Sequence, residues 1–288
     1  MLELAEILYG KPIAEEIREE IKKEVLDWQE KGITPKIAIL LVGSDPASVH
    51  YANSKCKACQ NLGFEHEMIH LPENSKESSI LEIINKLNKD SSIHGVMVEL
   101  PLPKHLDTRK ITESVAPVKD VDGVHPTNRG LIMSGGQGLF PATPQSCLEL
   151  LLRSGVEIRG KHVVIVGRGD TVGRPLVFMI LKYDATVTIC HSKTQDMASH
   201  TKQADILIVA AGRAGLITAD MVKKGAVVID AGINEVDGKL RGDVDFEGVQ
   251  EVASLISPVP GGVGVLTTAL LLRNVLKGIA IQQEEQGK

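Results

Sequence analysis

The stretch "KHVVIVGRGDTVGRP", residues 161–175, decides the fold. Its apolar run is short and β-branched, as in a buried strand, and it breaks abruptly into Gly167, Gly169 and Gly173 in G-x-G-x-x-x-G spacing. Glycine lets the backbone turn tightly and approach a pyrophosphate, and the helix start that follows favours the phosphate charge. Three further apolar runs follow at the spacing of a nucleotide-binding sheet: "ATVTIC", "ADILIV" and "AVVID". A glycine triplet alone is poor evidence, but a preceding strand and following βα units supply the context it needs.

Outward from this point, strand-like and helix-like runs alternate along the chain. That pattern predicts an α/β protein of two domains with largely parallel sheets. Upstream, "GKPIAEEIREEIKKEVLDWQEKG" has apolar residues at helical spacing, "KIAILLVG" reads as a buried strand, and "DPASVHYANSKCKACQNLG" reads as a helix. In the last of these Asp45 is the expected N-cap, Pro46 the first helical residue and Gly63 the stop. A strand at His66–His70, a helix at Ser78–Lys89 and the strand of "HGVMVELPLP" follow. Between Lys119 and Pro144 periodicity lapses, and the domain junction is expected there. The prediction is an N-terminal α/β catalytic domain over 1–142 and a Rossmann-type domain over 143–269. The C-terminal helix, 270–288, returns to the first domain.

The chain has 288 residues, 43% hydrophobic and 24% charged, with a net charge of −5. No lysine or arginine run stands out, which argues against nucleic acid or an anionic membrane as a partner. The most apolar window, "GVGVLTTALLLRNVLKGIAI", is interrupted by Arg273, Asn274 and Lys277. The N-terminus lacks a secretory-signal pattern, and four scattered cysteines fit a reducing, cytoplasmic setting.

Two conspicuous motifs fail on context. The H-E-x-x-H of His66, Glu67 and His70 is squeezed between Gly63 and Pro72, too short for the helix that a zinc site needs. On a strand its histidines stand roughly 13 Å apart, so no metal is expected. The C-x-x-C of Cys56 and Cys59 lies near a helix end, whereas a redox pair sits at a helix start.

On that same helix Tyr51 and Lys55 are spaced i, i+4 and project from one face. A desolvated lysine beside a tyrosine is a general acid/base candidate, although alone the pair is equally a packing tyrosine and a solvated lysine. Three segments add to it: "ELPLP" (99–103) ends a strand, "KDVDGVHPTN" carries Asp120 and Asp122, and "PVPGGVG" (258–264) is a rigid turn at a helix start. For the cofactor, the strand end "ICHSKT" has Ser192 and Lys193 where an NAD site usually has an acid. With Arg168 in the glycine turn, this favours NADP over NAD.

Taken together, "DPASVHYANSKCKA", "VELPLP", "KDVDGVHPTNRG", "VVIVGRGDTVGRP", "CHSKT", "DAGIN" and "PVPGGVG" resemble the bifunctional methylenetetrahydrofolate dehydrogenase/cyclohydrolase family, in order and over essentially the whole chain. The resemblance implies a homodimeric, cytoplasmic enzyme of one-carbon metabolism serving purine biosynthesis. It would oxidise methylene-tetrahydrofolate and hydrolyse the methenyl product to formyl-tetrahydrofolate. It implies Lys55 as the acid/base of hydration, with Tyr51, Ser48, Asp122, Pro260, Gly261 and Gly262 about the folate. It also implies Gly167, Arg168, Gly169, Gly173, Ser192, Lys193 and Ile233 about NADP. The chain departs from the family pattern at Gly169 (usually serine), Ala142 (cysteine), Val265-Leu266 (Pro-Met) and Glu99 (glutamine). Glu99 changes charge beside Lys55. A carboxylate there would hold the lysine as ammonium, so a dehydrogenase with weak or absent cyclohydrolase activity is the alternative expectation.

Overall fold

The computed structural model describes residues 4–286. The chain opens with a two-residue strand β1 (Glu6–Ile7) and helix α1 (Gly10–Glu30). It folds as two compact units, and the division between them falls inside α1. Among the described residues, one unit holds Glu16–Pro141 and 268–286; the other holds 4–15 and Ala142–Thr267.

The first of these units contains β2 (Lys36–Val42), α2 (Pro46–Leu62), β3 (Glu65–Leu71), α3 (Glu77–Lys89), β4 (Gly95–Val98), α4 (Thr108–Thr112) and α5 (Pro126–Ser134). The three strands form a parallel sheet in the order β3-β2-β4, with Leu40 opposite both Ile69 and Val98. Every residue of β2 after Lys36 is buried, as a central parallel strand requires. Ile80, Ile84 and Leu87 form one stripe of α3, packing with Ala38, Leu40 and Val42 in the core. Asp45 caps α2 by accepting from Ser48 N at 2.9 Å, and Gly63 ends it in the left-handed region at φ 81°.

The other unit contains α6 (Ala142–Arg153), β5 (His162–Val166), α7 (Gly173–Leu181), β6 (Thr186–Cys190), α8 (Met197–Thr201), β7 (Ile206–Val209), β8 (Val227–Asp230), β9 (Asn234–Val236), β10 (Lys239–Arg241), α9 (Phe246–Gln250) and β11 (Leu255–Ile256). Its parallel sheet runs β1-β11-β8-β7-β5-β6. The order reverses at β5, which pairs with β6 on one side and β7 on the other. That is a topological switch point, where α/β sheets bind ligands beyond the strand ends. The last helix, α10 (Thr267–Gln286), runs into the first unit, where Asn274 Nδ2 donates to Val121 O and Phe140 O at 2.7 Å each.

Three features depart from the expectations above. Residues 4–15, expected within the first domain, cluster instead with the six-stranded sheet. Ala5 N, Leu8 N and Gly10 N donate to Gln250 O, Ile256 O and Gly261 O, each at 2.8 Å. The four expected strands of that sheet are joined by β1 and β11, each only two residues long. The segment expected to lack periodic structure contains α5, started by His125 and Pro126 and closed by Gly135 at φ 76°.

Candidate active site

The first unit gathers four ionisable side chains from three places in the chain. Ser48, Ala52, Cys59 and Leu62 form the buried stripe of α2; Lys55 falls within that stripe and is half-buried, and Tyr51 stands at its edge. Lys55 Nζ donates to Glu99 Oε2 at 2.7 Å. Glu99 directly follows β4, and its amide continues the sheet by donating to Leu40 O at 2.8 Å. The carboxylate is 6% exposed and the lysine side chain 19%, so water screens the pair weakly. Tyr51 is 56% exposed and meets the ring of His50 edge-on at 6.0 Å. Ser48 is buried, and its hydroxyl donates to the Asp45 carboxylate at 3.0 Å.

Asp120 and Asp122 follow from a bridge that sets Asp120 alongside Val96 of β4. Asp120 is almost fully buried and accepts from His125 N at 2.8 Å and Asn128 Nδ2 at 3.0 Å. Desolvation nonetheless raises its pKa. Asp122 is pushed up to about 7, first by burial and then by the neighbouring Asp120 charge. Lys55 works against that rise and Glu99 adds to it. A carboxyl that titrates near neutrality beside an ion-paired amine can hold or release a proton at working pH.

In the other unit, the glycine turn, the end of β6 and the loop after β7 line a cavity of about 390 Å³. Gly167 adopts φ 120°, and a Cβ there would lie 2.0 Å from Ala210 O. A Cβ on Gly173 would lie 2.0 Å from Gly167 O, so no side chain fits at either position. Gly169 has open space around it and is required by neither sterics nor φ. No side chain caps α7 at Val172. Arg168 and Ser192 line the cavity, and β6 ends in Cys190, followed by His191, with no acid there. Two guanidinium-bearing residues on the lining, Arg168 and Arg213, suit a nucleotide carrying an additional phosphate. Lys193 is exposed, Ile233 is 64% exposed, and neither contributes to this lining. Pro260, Gly261 and Gly262 form the turn beside β1, where Gly10 N donates to Gly261 O.

Two family models match. Residues 8–122 match the tetrahydrofolate dehydrogenase/cyclohydrolase catalytic domain, and residues 141–283 match the NAD(P)-binding domain of the same family. The chain belongs to the tetrahydrofolate dehydrogenase/cyclohydrolase family. It is 61% identical over 282 residues to bifunctional protein FolD 2 of Desulfitobacterium hafniense, covering 98% of this chain and 99% of that protein. The crystal structure of the bifunctional FolD enzyme of Campylobacter jejuni superposes with a TM-score of 0.93 at 45% identity, covering 96% of this chain and 99% of that one. The Trypanosoma brucei enzyme, complexed with NADP and an inhibitor, gives 0.89 at 36% identity over 97% and 98% of the two chains. The fold class and family expected from the motifs are those found, and the family's NAD(P)-binding domain accords with the NADP reading.

The sequence motifs did not point to Arg213 or to the Ala210–Ala211 backbone on the cavity wall. Their signal is positional: they follow β7, the strand beside β5 at the switch point. The two conspicuous motifs fall into ordinary structure. His66, Glu67 and His70 lie on β3, where His70 Nε2 pairs with Gly43 O at 2.7 Å. Cys56 and Cys59 lie near the end of α2, and burial pushes the Cys59 thiol up to about 12.

Proposed function

We propose the following division of labour in an enzyme that oxidises methylene-tetrahydrofolate with NADP and hydrolyses the methenyl product to formyl-tetrahydrofolate. NADP, when bound, supplies the hydride acceptor. The unit of Glu16–Pro141 with the last helix carries the folate chemistry, and the unit of Ala142–Thr267 carries the nucleotide. Gly167, Gly169 and Gly173 admit the pyrophosphate. Arg168 and Ser192, which line the cavity, hold the 2′-phosphate. Tyr51, Ser48 and Asp122 orient the folate.

In the hydrolytic step, water adds to the cationic methenyl carbon and loses a proton to give a carbinolamine; the ring C–N bond then opens as its nitrogen gains a proton, and the hydroxyl releases its own to solvent as the formyl C=O forms. Lys55 takes the proton of the water as the free amine and returns it to the ring nitrogen as the ammonium. Asp122 supports the pterin and can exchange a proton near neutral pH. The observation carrying this reading is the Lys55–Glu99 contact at 2.7 Å, which fixes the amine against a buried carboxylate. The same contact favours a second reading, in which Glu99 tilts the enzyme toward dehydrogenation. A lysine paired as ammonium cannot accept a proton until the pair gives one up.

The enzyme works as a homodimer in the cytoplasm, and its formyl product feeds purine biosynthesis among other formyl-consuming reactions. Steady-state assays with NADP and NAD, following methenyl formation and its hydrolysis separately, test the assignment. Lys55→Met should lose hydrolysis by about 100-fold or more. Hydrolysis within a few-fold of wild type in that variant would remove Lys55 from the role.

A further inference from the structure

The nucleotide cavity has a wall of main chain, Ala210–Arg213, with a buried acid behind it that no sequence motif announced. Asp243 is fully buried. Its Oδ2 accepts from Ala211 N at 2.5 Å and Gly212 N at 2.9 Å, and its Oδ1 accepts from Arg213 N at 2.8 Å and Asn234 Nδ2 at 2.9 Å. Three successive amides converge on one carboxylate because Gly212 turns the chain at φ 68°. A loop that wraps an anion in this way has one conformation, and charge-assisted bonds to backbone amides are strong where water is excluded.

The arrangement is enforced from two further sides. A Cβ on Gly232 would lie 2.2 Å from the Asp243 carboxyl carbon, so a glycine leaves room for the acid. Asp230, at the end of β8, accepts from Asp243 N at 3.1 Å and Val244 N at 2.9 Å and so fixes the backbone that carries it. On the cavity side the same loop supplies Ala210 and Ala211 to the lining, and Ala210 O lies where a side chain on Gly167 would go.

We propose that Asp243 is a positioning residue for NADP, holding the Ala211–Arg213 backbone so that Arg213 and the loop wall meet the glycine turn ready-made. It touches no substrate. Its effect is preorganisation: without the carboxylate, the nucleotide would have to order the loop as it binds. The inference rests on reading this cavity as the nucleotide pocket.

Asp243→Asn tests it, because the substitution keeps the shape and turns one accepting oxygen into a donor facing amides. NADP affinity by equilibrium titration and KM for NADP should both weaken tenfold or more, with kcat within about threefold. Hydrolysis of methenyl-tetrahydrofolate, which consumes no nucleotide, should stay within about twofold and reports an intact fold. NADP affinity within twofold of wild type in a hydrolytically active Asp243→Asn enzyme would overturn the proposal. Arg168→Gln separates the two levels: if it leaves NADP affinity unchanged, the pocket reading fails and the proposal with it. If it weakens NADP while Asp243→Asn does not, only the positioning role fails. Should Asp243→Asn lose both activities, amide exchange in the wild-type enzyme decides. Amides 211–213 protected before NADP is added support a preset loop, and amides that become protected only with NADP refute it.

Discussion

Lys55 and Glu99 are 44 residues apart in sequence and 2.7 Å apart in space. Register brings them together: β2 leads into α2, and β4 pairs beside β2 so that Glu99 emerges next to the helix. Because Lys55 serves as a base only in its neutral form, the carboxylate opposes that role. Glu99→Gln should raise the ratio of hydrolase to dehydrogenase activity by roughly three- to tenfold, because the amine is no longer held in a salt bridge. Both activities measured side by side in the two enzymes check this, and an unchanged ratio would refute it.

The same pair makes a stability prediction. Removing Lys55 alone leaves a buried carboxylate without its counter-charge. Lys55→Met should therefore destabilise the protein by about 1–3 kcal/mol, below the range for a fully buried pair because the lysine is partly exposed. Lys55→Met with Glu99→Gln should recover most of that loss. Unfolding of the single and double variants forms a cycle whose coupling should be clearly non-zero. Additive effects would mean that the contact contributes little.

Much of this organisation was legible beforehand, and the exceptions have physical reasons. Asp45, Pro46 and Gly63 bound α2 through local chemistry, and local chemistry is what a sequence displays. Helix α5 was missed although Pro126 and Gly135 bracket it, because its apolar residues, Leu131, Ile132 and Met133, are consecutive and give no periodic stripe. Strands β1 and β11 are two residues each and exist through their pairing with one another and β8. For the site, Tyr51 and Lys55 could be set on one helical face from spacing alone. The Arg213–Asp243 contact, made across 30 residues, depends on how the loops beyond β7 and β8 meet, which spacing does not encode.

Asp122 gives a pH signature with a definite sign. Its carboxyl titrates at about 7 in the folded protein against an ordinary value of 3.8. Between those values the folded state keeps a proton that the unfolded state has released. The group's contribution to stability is thus fully present below pH 4 and is lost as pH rises toward 7. Asp122→Asn does not titrate, so its stability relative to wild type should grow across pH 5–8, reaching about 1–3 kcal/mol at the alkaline end. Thermal or denaturant unfolding at several pH values measures this. A difference that stays flat with pH would show that Asp122 is ionised throughout.

The cofactor preference should follow the cations and not the glycines. Arg168→Gln should weaken NADP by about tenfold or more while changing NAD affinity within a few-fold, since only the former carries the 2′-phosphate. Ser192→Ala should act in the same direction and more weakly. Parallel titrations with NADP and NAD give the ratio, and equal losses for both nucleotides would contradict the assignment.

The three glycines of the turn should separate under alanine substitution. Gly167→Ala places a methyl 2.0 Å from Ala210 O at φ 120°, where an L-residue is already strained. Neither neighbour is a flexible side chain that could yield, so the β5 turn and the loop after β7 must move apart. Gly173→Ala meets Gly167 O at 2.0 Å and forces α7 off the same turn. Gly169→Ala meets nothing within 4 Å. Dehydrogenase activity with NADP should therefore fall by about 100-fold in the first two variants and by less than threefold in Gly169→Ala. Hydrolysis of methenyl-tetrahydrofolate provides the control, because its chemistry is assigned to Lys55 in the other unit. A Gly167→Ala enzyme with normal NADP affinity would mean that the turn and the Ala210 carbonyl are not in fixed contact, and the wall inferred to be held by Asp243 would lose its opposite face.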